Sequence, residues 1–396
     1  MESSAKSEPL EPRGPIPSPG SGLESSVPAD RSRLRSGVDS ILAPKNVFLW
    51  PALLVILALS IFPLVVSLYL SLSRLQFTSS GIDIKFLGLS NYQTLLFGSE
   101  QIHFVGLVKP PSLIGWGIFL AIVAALVWAF IRALRGGVRP LGLVLRAVGG
   151  VAAAGLAWLL VSTTFAPGGR PGTLFVTLTY VTVGLVVQYG LGLGLAVLAT
   201  LRLPGRRFFR VVFLLPMMIT PVGVGYLFEM LTDTGRGPFL PVFRALGLAN
   251  FAWATDPWLA RTAVMIGDIW QWTPFMFIVL LAALEGQDQE VLEAAHVDGA
   301  SRWQAFRHIT FRAILPVSTT VILIRMIEAF KIVDLPNILT NGGPGTATES
   351  ITLQAFFAWR TQALGRSAAL AYILLILVTI AATAYVNLIR RRVDAR

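Results

Sequence analysis

The chain has 396 residues, of which 54% are hydrophobic and only 13% charged, with a mean hydropathy of +0.69 and a formal net charge of +11. A soluble domain carries about 25% charged residues, so this composition excludes a soluble globular protein and points to an all-α polytopic membrane protein. With no cysteine, disulfides, thiol nucleophiles and thiolate metal sites are excluded too.

Residues 1–40 are rich in Ser, Pro, Gly and Glu, lack an apolar period and read as a disordered tail. No basic stretch runs directly into an apolar one at the N-terminus, so no cleaved signal peptide is expected. Eight segments then have the roughly 20 residues that a bilayer core requires. They are 47–72, 113–132, 143–163, 174–199, 208–231, 260–284, 315–333 and 366–389. Residues 41–104 hold the first span and an outer loop, and 105–170 hold a pair of Ala-, Val- and Leu-rich spans that read as a lipid-facing helical hairpin. Residues 171–396 hold the rest. With the N-terminus inside, nineteen Lys and Arg fall on inner segments and nine on outer ones. That bias places both termini, and a polar segment at 285–315, in the cytoplasm. The net charge is thereby explained by topology, and no nucleic-acid partner is expected.

Charged or amide side chains inside a span are functional candidates by default. Span 208–231 carries Pro216 and Pro221, which free backbone groups and bend the helix, and Glu229 near its outer end. In span 260–284, Asp268, Gln271 or Trp272, and Phe275 recur at helical spacing and share one face. An acid, an amide and flat rings on one stripe suit a polyhydroxylated ligand, or else an aromatic belt with an interhelical hydrogen bond. Span 315–333 carries Arg325 and Glu328 at i, i+3, able to pair with each other or to line a pore, with Lys331 and Asp334 near the outer edge.

Glu293 to Pro316 is a long polar, helix-compatible stretch between hydrophobic spans. It reads as a helix over about 287–297 with Asp288 and Glu290 in its first turn, a turn at Gly299, and a second helix capped by the Ser301–Gln304 box. Nothing in the chain makes an enzyme. His103, His296 and His308 lack metal-ligand spacing, no phosphate-binding G-x-x-x-x-G-K-[ST] pattern occurs, and the GLGLG string at 190–194 sits inside an apolar span, where it serves close packing.

Glu293-Ala294-Ala295, three residues, Gly299, nine residues, then Ile309 resembles the EAA loop of binding-protein-dependent ABC importer permeases. LGLSNYQTLL (87–96), GRRFFRVVFLLPMMITPVGVG (205–225), IWQWTPF (269–275) and ILTNGGPGTATES (338–350) are similar to the carbohydrate-uptake branch of that family. The usual I-x-L-P ending is replaced by Ile309-Thr310-Phe311-Arg312, with the proline later at Pro316, and the 105–170 insert adds two spans to a usual core of six.

The resemblance implies a permease of the bacterial inner membrane, coupled through Glu293, Ala294, Ala295, Asp298, Gly299 and Ile309 to a dimer of cytoplasmic ABC subunits that bind ATP and Mg. It also implies a second permease, an extracytoplasmic solute-binding protein and no cofactor in this chain. Asp268, Trp272, Phe275, Arg325 and Ala329 fall where the maltose subunit touches sugar; with Gln271 and Glu328 they make the expected substrate path, although the side chains differ from that subunit's amides. The function expected is ATP-driven uptake of a sugar or polyol. The alternatives are another solute such as glycerol phosphate, or a proton-coupled secondary transporter using Glu229, Asp268 and Glu328 as relays.

Overall fold

The computed structural model describes residues 50–79, 81–135, 140–201, 204–247 and 252–393. The tail 1–40, the basic residues Arg31 to Lys45 and both chain ends lie outside the described residues. The chain divides into two compact units, Met1–Leu64 and Val65–Arg396. Among described residues the first unit holds most of helix α1 (Trp50–Ser71), an uncharged run that turns π-helical over Leu57–Ile61.

In the second unit, the last turns of α1 lead into an antiparallel hairpin, β1 (Ser73–Thr78) and β2 (Gly81–Phe86). Short helices α2 (Ser90–Phe97) and α3 (Gln101–Phe104) follow. The insert then runs through β3 (Gly106–Leu107), α4 (Leu113–Arg135), α5 (Pro140–Thr164) and β4 (Arg170–Pro171). Its ends meet, because β3 pairs with β4, Gly106 opposite Pro171 and Leu107 opposite Arg170. Gly106 has φ +112°, and a Cβ there would stand 2.4 Å from the Arg170 carbonyl oxygen, so only glycine fits. Trp116, Phe119 and Trp158 join α4 to α5 with ring centroids 5.3–6.1 Å apart.

The remainder is built on α6 (Thr173–Thr200), α7 (Arg206–Val212), α8 (Leu215–Met218), α9 (Pro221–Thr232), α10 (Leu240–Ala245), α11 (Pro257–Glu285), α12 (Gln289–Val297), α13 (Arg302–Ala329), α14 (Asp334–Thr340), α15 (Ile351–Arg360) and α16 (Leu364–Val393). The long helices α6 and α11 pack along each other, sealed by Met276, Phe277 and Leu280 against Ala196. The close approach is set at Gly192, where a Cβ would stand 2.5 Å from Met276 Cβ, the packing role expected for the GLGLG string. All-α holds apart from the two small strand pairs.

Among the described residues, six helices pass the length and apolarity needed to cross a membrane, and a bent pair makes up to seven. Residues 143–163 fall within α5, whose 25 residues, Pro140–Thr164, exceed the roughly 20 that a span needs. The expected span 208–231 is instead Phe208–Met218 and Pro221–Thr232, bent by 99°. Pro221 lacks an N–H and takes the first position of α9, while Thr220 is extended at ψ 147° and caps the N–H of Gly223 at 3.3 Å.

Candidate functional site

Two polar features stand out, one at the tip between α11 and α13 and one buried between α6, α11 and α13. At the tip, Asp288 caps α12 by accepting from the Glu290 N–H at 3.0 Å. The helix ends in a left-handed turn. Gly299 has φ +82°, its N–H donates to the His296 carbonyl at 3.1 Å, and the Ala300 N–H donates to the Ala295 carbonyl at 2.9 Å. Those are the two bonds of a Schellman stop. Ser301 then starts α13 with both halves of the capping box in place, its N–H donating to Gln304 Oε1 at 2.8 Å and its Oγ accepting from the Gln304 N–H at 3.3 Å.

The predicted coupling residues sort by face. Ala295 is buried and Ile309 half-buried, whereas Glu293, Ala294, Asp298 and Gly299 are exposed, as are Val297 and Trp303. Ile309 lies in a π-helical turn, Phe306–Thr310, and lines a cavity of about 450 Å³ with Asp288, Val291 and Leu292. Gln287 Nε2 donates to the Thr310 carbonyl at 3.0 Å across that gap. At the same end Arg210 of α7 pairs with Glu285. The hairpin is therefore stiff at its turn and tied at its base to the first turns of α13.

In the buried feature, Arg325 of α13 is 1% exposed. Its Nη2 donates to Asp268 Oδ2 at 2.5 Å and its Nε to Gln188 Oε1 at 2.9 Å. Gln188 Nε2 in turn donates to Asp268 Oδ2 at 2.8 Å, which closes a three-membered ring across three helices. The guanidinium also lies 4.8 Å from the Trp272 ring centroid. The pairing of Arg325 with Glu328 does not occur. Glu328 meets Lys331 at 2.7 Å on the surface, because Arg325 points inward to a buried acid whose charge would otherwise be uncompensated. Gln188 was missed. A lone amide in the middle of the apolar span 174–199 was its signal, since such a group needs a partner inside the bilayer.

The other predicted path residues divide between structure and open face. Gln271 Nε2 donates to the Ile219 carbonyl at 3.1 Å, where the bend between α8 and α9 frees that oxygen. Gln271 Oε1 is buried without a partner among the described residues. Trp272 and Phe275 are half-buried with rings 6.4 Å apart, and Phe275 opens on a cavity of about 350 Å³ with Val279, Pro316 and Ile324. Ala329 is buried, and Glu229 is exposed. A larger cavity of about 630 Å³ lies between α4 and α5, and it holds none of the predicted residues.

A third polar group, at the opposite end of the bundle from Gly299, was not anticipated. His103 Nε2 is 2.9 Å from Glu349 Oε2 and its Nδ1 3.5 Å from Glu100, and Glu100 also pairs with Arg366. Burial disfavours the charged ring, but the two carboxylates outweigh it and hold the imidazole above its ordinary value. Among the described residues, no group of three or more His, Asp or Glu is arranged to hold a metal.

Residues 188–396 match the family described as binding-protein-dependent transport system inner membrane component. The chain is 33% identical over 220 residues to the trehalose/maltose transport system permease protein MalF of Thermococcus litoralis, covering 56% of this chain and 75% of that protein. It is 29% identical over 214 residues to the probable starch degradation products transport system permease protein AmyD of Thermoanaerobacterium thermosulfurigenes, covering 52% and 71%. A bacterial ABC transporter involved in import of the acidic polysaccharide alginate has a chain of the same fold, with TM-score 0.61 and 18% identity over 91% of this chain and 99% of that one.

Proposed function

The chain belongs to the family of binding-protein-dependent transport system inner membrane components, and on that premise we propose that it carries a sugar or related polyol as the permease subunit of an ATP-driven importer. It is a multi-pass membrane protein and a transport component, not an enzyme. The relatives named for trehalose, maltose and starch products support a carbohydrate. The observation that carries the coupling role is the double-capped hairpin at Gly299, an exposed rigid element between α11 and α13.

In this reading two cytoplasmic ATPase subunits bind ATP and Mg, and the hairpin docks on one of them through Glu293, Ala294, Asp298 and Gly299. Ala295 and Ile309 hold its inner side. A second permease completes the path, and an extracytoplasmic binding protein delivers the solute. Movement of the hairpin passes straight into α11 and α13, the helices that carry Asp268, Trp272, Phe275 and Arg325. The ring of Asp268, Gln188 and Arg325 then acts as a tie that keeps α6, α11 and α13 moving together. Gln271 Oε1 and the Trp272 and Phe275 rings supply an acceptor and flat apolar surfaces for a sugar. A proton relay through Glu229, Asp268 and Glu328 gains no support, since Asp268 is neutralised by Arg325 and Glu328 by Lys331.

The test is to purify the full chain with the subunits that accompany it, screen sugars on the co-purified binding protein, and measure uptake into liposomes. Uptake that needs ATP and the binding protein's sugar is expected. Transport by this chain alone, driven by a proton gradient, would overturn the reading.

A further inference from the structure

The hairpin β1–β2 starts just after the last turn of α1, separated from it by Leu72 alone. Its register sets Leu75 opposite Ile84, Phe77 opposite Ile82 and Ser73 opposite Phe86. Side chains alternate across a strand, so Leu75, Phe77, Ile82, Ile84 and Phe86 share one face. Arg74 with Lys85 and Gln76 with Asp83 share the other. Phe77, Ile82, Ile84 and Phe86 are 52%, 62%, 44% and 60% exposed. A two-stranded hairpin is marginal in water without cover for its apolar face, and this one leaves most of that face open.

The occupant follows from where the face leads. The Phe86 ring stacks on Tyr69 with centroids 6.2 Å apart, and Tyr69 is a half-exposed residue in the last turn of a membrane-spanning helix. The apolar face is thus continuous with an aromatic at the end of a span, the depth at which Tyr and Trp rings meet lipid headgroups. The opposite face carries Arg74 and Lys85, cations suited to phosphate oxygens. The base of the hairpin is fixed to the bundle. Asn91 Nδ2 donates to the Ser71 and Ser73 carbonyls at 2.8 and 3.0 Å, and Gly365, at the start of α16, packs so closely that a Cβ would lie 2.1 Å from the Ser73 carbonyl oxygen.

We propose that the β1–β2 hairpin is a membrane-surface anchor, its Phe77, Ile82, Ile84 and Phe86 seated in the boundary between phospholipid headgroups and acyl chains on the side of the bilayer opposite Gly299. It fixes the depth of the bundle on that side. Phospholipid is the partner; neither a protein subunit nor water fills that face.

This chain has no cysteine, so each variant gains one labelling site in it. The same complex without the introduced cysteine, put through the labelling, gives the signal of the other subunits to subtract. Ile82→Cys, Asp83→Cys and Ile84→Cys would be labelled in the full chain, purified with its accompanying subunits and placed in phosphatidylglycerol–phosphatidylethanolamine liposomes. Collision with membrane-soluble oxygen and with a water-soluble nickel chelate is then compared. Positions 82 and 84 should favour oxygen and exclude the chelate, and position 83 should reverse that ratio. Chelate access at 82 and 84 would mean an aqueous face and overturn the proposal. Protection of 82 and 84 from both reagents would mean a protein cover and overturn it equally.

Discussion

Arg325 and Asp268, 57 positions apart on separate helices, meet at 2.5 Å with almost no exposed surface on either side chain. A buried ion pair adds little net stability over a well-packed apolar substitute, but removing one member strands the other's charge at a cost of about 3–5 kcal/mol. Asp268→Asn or Arg325→Gln alone should therefore lower the thermal midpoint of the purified complex and abolish uptake. The double variant should recover most of the midpoint without recovering uptake. A midpoint unchanged in both single variants would mean that the pair is not closed in the membrane.

The turn at Gly299 offers a graded test. No heavy atom lies within 4 Å of a Cβ built there, so a substitution meets conformational strain alone, about 1–3 kcal/mol for a side chain held at positive φ. Asn, which tolerates that conformation, should keep most uptake. Ala should keep less, and Val should leave ATP hydrolysis running while uptake falls several-fold. Equal uptake across the series would separate this turn from coupling.

His103 gives a pH dependence whose sign is fixed by the geometry. Its folded pKa is raised, chiefly against burial and through Glu349 and Glu100, so the stabilisation is fully present below the unfolded value of about 6.5. It fades as the pH climbs through the folded value. The thermal midpoint of the complex should fall as pH rises from mildly acidic to alkaline, and His103→Gln should flatten that slope. A slope that survives the substitution would assign the effect to other groups.

Gln271 bridges the bend at Ile219. Replacing it by Leu leaves that carbonyl without its donor, a loss of about 1–3 kcal/mol for a buried group. Gln271→Leu should lower the thermal midpoint, whereas Gln271→Glu should lower it further, because it removes the same donor and also sets an uncompensated negative charge against that oxygen. If Leu and wild type melted together, water would already be serving the Ile219 carbonyl.

The elements written in local chemistry were legible before the structure. The Asp288, Gly299 and Ser301–Gln304 signals describe contacts within a few residues, and the hairpin forms with those caps in place. Among the described residues, long apolar runs located five of the six crossing helices within about three residues of their ends. The helix expected at 315–333 starts 13 residues earlier, at Arg302, because the polar stretch after the Ser301 cap continues straight into it. What escaped depended on partners far apart in the chain. Arg325 finds its acid on another helix rather than one turn away, and Gln188 matters only because α6 lies against α11. His103 joins Glu349 across 246 positions. The 99° break also exceeds what two prolines alone announced, since Thr220 and Gln271 must both satisfy the exposed backbone before the chain can turn so sharply.

The β3–β4 pairing makes the insert a detachable part. Paired strands lie about 5 Å apart, a gap that a two-residue Asn-Gly turn spans. The backbone between Leu107 and Arg170 can therefore be rejoined in register, although its removal also uncovers the Leu95, Phe104 and Phe175 cluster on which Leu159 and Leu160 pack. The same seam is a graft point for a foreign helical pair with adjacent termini, provided that the pair supplies apolar side chains where Leu159 and Leu160 stand.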